Sequence, residues 1–83
     1  MFEIVVLRPY ANPERVERKE LSLEEAQEIV GGYVEMVRLT RDKIMLVDEE
    51  GLLKRLPYNI PATVVAGRHI VGTAIVCNTK AFR

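Results

Sequence analysis

Apolar positions along this chain fall into short runs separated by polar, proline- or glycine-bearing stretches, and each run carries its own periodicity. Residues 2–7 (FEIVVL) are apolar except for Glu3 and rich in β-branched side chains. The run predicts a strand buried on both faces, with Phe2, Ile4 and Val6 on one side and Val5 and Leu7 on the other. Residues 9–20 are polar, hold two prolines and predict an exposed loop with a short edge strand around residues 15–19 anchored by Val16. Residues 22–30 change period: Leu23, Ala26, Ile29 and Val30 form one helical stripe. Ser22 stands at the N-cap with Glu25 three residues on, a capping box, and Gly31 occupies the position where a helix ends in left-handed backbone. Two further runs, residues 33–39 and 43–48, are joined by a tight turn at Arg41-Asp42 and predict a hairpin. Residues 48–51 (DEEG) predict a turn with Gly51 at positive φ, residues 52–56 a helical turn or connector, and residues 72–78 a last strand.

This order predicts one α+β domain over residues 1–83: a small mixed or antiparallel β-sheet with one short helix packed on one face. With 83 residues, 48% of them hydrophobic and 29% charged, the chain has the composition of an ordinary globule. A domain this small leaves much of its surface open, so burial in a homo-oligomer is expected. The first residues lack the apolar length and cleavage site of a secretory signal, and no segment reaches the roughly 18 apolar residues that span a bilayer. One cysteine allows no intrachain disulfide, which fits a reducing cytoplasmic setting without membrane contact.

Net charge is zero, yet the twelve acidic residues all precede Gly51. Beyond Glu50 stand Lys54, Arg55, Arg68, Lys80 and Arg83 with no acid. Such a division marks an anion-binding half, unless the two halves interleave in the fold and pair their charges. Nucleic-acid binding is a secondary expectation, because aromatic content is 6% and tryptophan is absent, where single-strand binders need stacking platforms.

Catalytic and metal chemistry find little support. Cys77 and His69 are the one thiol–imidazole combination, but Cys77 lies in the apolar run IVCN, where a buried inert thiol is expected, and His69 follows a glycine turn and is expected to be exposed. Residues 48–51 lack the alternating oxygen ligands of a calcium loop. Gly31-Gly32 follows a helix, the reverse of a phosphate loop. No catalytic residue, metal ligand or cofactor is therefore assigned. Residues 56–72 (LPYNIPATVVAGRHIVG) concentrate two prolines, two glycines and the one histidine. They predict an irregular return segment in which Asn59 caps the turn that begins at Pro61, or else lines a polar pocket with Thr63 and Arg68 beneath Tyr33.

The residues quoted above, taken in order, resemble a small domain family of unknown function found in phages, plasmids and their bacterial hosts. They are SLEEAQ through VGGYVE, DEEG, LPYN, AT and VGTA, with Thr73 standing where the resemblance leads us to expect an acid. The resemblance implies an accessory protein of a mobile element that works by binding. The leading expectation is a non-enzymatic module that holds an anionic small ligand such as a nucleotide at an oligomer interface. Lys54, Arg55 and Arg68 would supply charge, Asn59 and Thr63 hydrogen bonds, and Tyr33 a stacking face. The alternatives are a protein–protein module that inhibits or adapts a host defence complex, through an open sheet edge or the acidic face at Glu24 and Glu28, and an accessory domain with weak nucleic-acid binding.

Overall fold

In a computed structural model, which describes residues 1–82, the strands are β1 (Phe2–Leu7), β2 (Glu14–Arg18), β3 (Val34–Arg38), β4 (Lys43–Asp48) and β5 (Ala74–Asn78). The helices are α1 (Leu23–Val30), between β2 and β3, and α2 (Ile60–Ala66), between β4 and β5. The strands form one sheet in the order β2-β1-β5-β4-β3, with every neighbouring pair antiparallel. Two hairpins, β1–β2 and β3–β4, thus lie apart until the last strand fills the gap between them, pairing Val5 with Val76 on one side and Ile44 with Cys77 on the other.

Side-chain alternation sends each strand's apolar residues to both faces. Ile4, Ile44, Leu46, Ile75 and Cys77 meet Ala26 and Val30 of α1, and Leu21 and Ala81 close the rim of this core. Leu7, Val37, Met45, Val47 and Ala74 point the other way, where Ala62 of α2 and Ile70 cover them. The sequence-level expectation of a single helix on one face is corrected: two helices lie on opposite faces of the sheet. The α+β class and the antiparallel sheet stand.

The α1 boundaries follow from their caps. Ser22 Oγ accepts from the Glu25 N–H at 3.0 Å, and Gly31 takes φ 94° with its N–H on the Gln27 carbonyl. Only half of the capping box forms, because the Glu25 carboxylate accepts from Arg18 Nε at 3.3 Å. Leu23, expected in the buried stripe, is exposed. Gly51 does not adopt positive φ. Its lack of a side chain matters for space, since a Cβ there would meet Val71 Cγ2 at 2.9 Å.

Candidate docking surface around α2

Helix α2 starts where the sequence analysis placed a turn, and the cause is Asn59. Its side-chain oxygen accepts from the Ala62 N–H at 3.0 Å, Pro61 supplies a preset φ in the first turn, and Gly67 ends the helix at φ 69°. The same amide nitrogen donates to the carbonyls of Leu7 at 2.9 Å and Gly72 at 2.7 Å. One fully buried side chain thereby ties the helix start, the end of β1 and the approach to β5 together. Thr63 repeats the device one turn on: its hydroxyl accepts from the Ile70 N–H at 2.9 Å, while the Asn59 N–H donates to the Ile70 carbonyl at 2.9 Å.

Packing alone would not fix α2 in this orientation. It buries only Ala62, with Ala66 half-buried, and turns its large apolar side chains outward: Ile60 is 62% exposed and Val64 75%. A helix held by packing shows the opposite arrangement. The outward residues continue into their surroundings. One open groove is lined by Tyr10, Tyr58, Ile60 and Pro61, and a second by Tyr58, Thr63, Val64, Arg68 and His69. A third, sharing Arg68 and His69, reaches the exposed Leu52 and Leu53. Tyr58 and His69 meet edge to face with ring centroids 4.7 Å apart, which holds the wall between the grooves. Tyr10 is 90% exposed and sits at φ 64°, a backbone region unfavourable for a bulky side chain.

The six residues expected to contact an anionic ligand do not form one pocket. Asn59 has no exposed surface, and both ends of its amide are used within the chain, so its assignment as a ligand contact is corrected to a structural one. Thr63 lines a groove, but its hydroxyl is engaged with Ile70. Lys54 lies elsewhere, beside Tyr33 and Gln27. Its ammonium donates to the buried Asp48 carboxylate at 2.8 Å and to the Gly31 carbonyl at 3.3 Å, supplying the cation that the last turn of α1 lacks. Tyr33 is exposed at the edge of that hollow, and Arg55 is exposed with left-handed backbone at φ 57°. Arg68 faces Glu35 across 3.8 Å, a loose pair that leaves its guanidinium open to solvent.

The charge halves interleave in part. Lys54 pairs with Asp48 and Arg68 with Glu35, whereas Arg55 and Lys80 have no ion-pair partner among the described residues; Arg83 lies outside them. Cys77 is fully buried in the α1-side core, where burial pushes its thiol pKa up despite the nearby Lys43. His69 is exposed beyond α2, so the thiol and imidazole do not share a face. Among the described residues, no cluster of three or more His, Cys, Asp or Glu side chains could hold a metal ion. Among the described residues, no helix is long and apolar enough to cross a membrane.

Tyr10, Leu52, Leu53, Ile60 and Val64 are exposed apolar residues of this surface that sequence reasoning missed. The signal was present within IPATVVA: the large residues Ile60 and Val64 share one helical stripe, and the small Ala62 and Ala66 share another. The helix thus turns alanine inward and leaves Ile60, Val64 and Val65 exposed.

No curated protein and no solved structure matches the chain. A family match does cover residues 2–82, and it includes both hairpins, both helices and the closing strand. The chain belongs to the family described as a domain of unknown function, DUF3846.

Proposed function

We propose that this domain is a non-enzymatic binding module that docks a protein partner on the outward face of α2 and the loops beside it. The observation that carries this reading is the reversed burial of α2, whose largest apolar side chains face solvent and join exposed Tyr10, Tyr58, Leu52 and Leu53. Contiguous exposed apolar surface of this kind marks interaction sites, and tyrosine and arginine are the side chains that anchor interfaces most often. Arg68 and His69 line the groove beside Val64, and Glu35 and Glu49 line the one that reaches Leu52 and Leu53, so the fitting partner presents an apolar patch bordered by polar groups of both signs. The resemblance to domains of mobile elements makes a host protein the natural class of partner, in keeping with a cytoplasmic site of action.

Binding of a nucleotide or similar anion is the weaker reading, because Asn59, Thr63 and Lys54 are engaged within the fold. A photo-crosslinking residue at Val64 is expected to yield a discrete protein adduct in the native host. The same residue at Glu28, on exposed α1, is expected to yield none, and the Ile60→Glu/Val64→Lys variant is expected to lose the Val64-region adduct when the crosslinker is moved to Tyr58. Equal adducts from both faces would remove the proposal. So would thermal stabilisation of the purified domain by nucleotides together with an adduct-free α2 face.

A further inference from the structure

Strand β2 forms one edge of the sheet, and its sequence is Glu14-Arg15-Val16-Glu17-Arg18. Read against itself in the antiparallel sense about Val16, every charge meets its opposite: Glu14 faces Arg18, Arg15 faces Glu17, and Val16 faces Val16. We propose that β2 pairs with β2 of a second copy of this chain in that register, making a two-fold dimer with one continuous sheet.

The backbone supplies an independent test of the register. Antiparallel residues alternate between pairs that exchange hydrogen bonds and pairs that do not, so a strand's polar groups point alternately to its two neighbours. The Thr79 N–H donates to the Asp42 carbonyl, continuing the β4–β5 register, which sets the odd residues of β5 toward β4 and Ala74, Val76 and Asn78 toward β1. Val76 pairs with Val5 and Ala74 with Leu7, so the odd residues of β1 face β5 and Phe2, Ile4 and Val6 face β2. Their partners Arg18, Val16 and Glu14 therefore bond inward, and the N–H and C=O groups of Arg15 and Glu17 point out of the sheet. In the charge-matched register, Arg15 lies opposite Glu17 of the second copy, so the outward-pointing residues exchange backbone hydrogen bonds with each other. Val16 then sits on the axis in a non-bonded pair, where side chains approach most closely. Register by charge and register by hydrogen bonding coincide.

Within the chain, Glu17 lies directly opposite Glu3, a like-charge pair, and Arg15 donates to Glu3 at 3.2 Å. Glu17 has no ion-pair partner among the described residues. Arg15 of the second copy would sit beside it. Edge strands commonly carry charges that discourage pairing with other edges, and the alternating charges of this one match a second copy of itself. Because the axis runs perpendicular to the sheet, both copies present α2 on the same side.

Sedimentation equilibrium tests the proposal. The wild-type chain is expected to dimerise with concentration at low salt and to dissociate at high salt, because the pairs are exposed. Arg15→Glu and Glu17→Arg each turn attractive pairs into repulsive ones, and each alone is expected to weaken self-association by about tenfold or more. Mixed together, the two variants restore opposite charges across the axis and are expected to form a heterodimer. The double variant in one chain is expected to recover the homodimer. Ile60→Glu/Val64→Lys leaves β2 untouched and is expected to dimerise like wild type. A wild-type chain that stays monomeric at low salt would overturn the proposal, as would single variants that dimerise like wild type or a mixture that shows no heterodimer.

Discussion

The two faces of the sheet are closed by different physics. On the α1 face, Ala26 and Val30 rest on Ile4, Ile44, Leu46 and Ile75, and capping at Ser22 and Gly31 only trims the ends of a helix that packing already holds. On the α2 face, seven helical residues cover the sheet with alanine, and their place is set by Asn59 and Thr63 through hydrogen bonds to Leu7, Gly72 and Ile70. A lost apolar contact leaves a cavity into which neighbouring side chains relax only in part, whereas a lost buried hydrogen bond leaves a desolvated polar atom without a partner. Polar attachment also frees the large apolar side chains of α2 to face outward, so one device explains both how the helix is held and why its surface is available.

The sharpest way to break this contrast is Asn59→Asp. The substitution keeps the oxygen that caps α2 but removes both donors, and it sets a carboxylate against the carbonyls of Leu7 and Gly72. We expect a loss of about 4 kcal/mol near neutral pH, the scale of a buried charge left without a partner. Burial and the two carbonyls would raise the folded-state pKa of that carboxyl above its unfolded value. The neutral form is then favoured on folding, so the penalty is relieved as pH falls and grows as pH rises. Urea denaturation across acid and neutral pH reads both size and direction. A loss no larger than that of a surface substitution would mean that packing, not the amide, holds α2.

Leu46→Ala makes the matching cut on the α1 face. Leu46 has no exposed surface and lies under α1, so truncation is expected to cost about 3 kcal/mol, with α2 keeping its amide-exchange protection. Equal loss of protection in both helices would show that the faces do not behave separately.

How much of this was legible in the sequence follows the same division. FEIVVL, KIMLVD and the stripe of α1 carry their fold in side-chain periodicity, and the strands and first helix stand within a residue or two of where that pattern puts them. Helix α2 has no such stripe facing inward. Its cause is a single amide whose partners are 52 and 13 residues away in sequence, which no local pattern can reveal. The reading of Asn59 as a cap was available from Asn59-Ile60-Pro61, and what concealed the helix was its seven-residue length and outward apolar face. The expected ligand residues failed to meet for a related reason: Lys54 and Arg68 are drawn apart by carboxylates, Asp48 and Glu35, that precede them in sequence. The self-matching charges of β2 were visible as a string, but they acquired meaning only once Val16 was known to lie on an edge strand with Arg15 and Glu17 bonding outward.

A smaller effect separates the faces by chemistry. Cys77 is sealed in the α1-side core, and its thiol pKa is raised above the ordinary 9.0 by burial. The unfolded chain therefore loses this proton at lower pH than the folded one. The contribution to stability is complete below 9.0 and declines as pH rises from there through the raised folded value. Alkylation of the thiol is expected to report unfolding and nothing faster, as measured by labelling rates against urea. Rapid labelling of the native chain would show that β5 opens separately from the core.

The smallest expected change in stability tests the contrast most directly. Ile60→Glu places an acid in the first turn of α2, and Val64→Lys places a base four residues later near its end, both on the exposed side. The pair matches the helix dipole and forms an i, i+4 ion pair, so two large apolar side chains are replaced without loss to the fold. We expect unfolding free energy to stay within about 0.5 kcal/mol of wild type, read by the same urea titration. If the outward face of α2 were part of the domain's own packing, this double change would be severely destabilising. An unchanged fold that no longer gives the crosslinked adduct would assign Ile60 and Val64 to the partner and leave Asn59 as the residue that holds them in place.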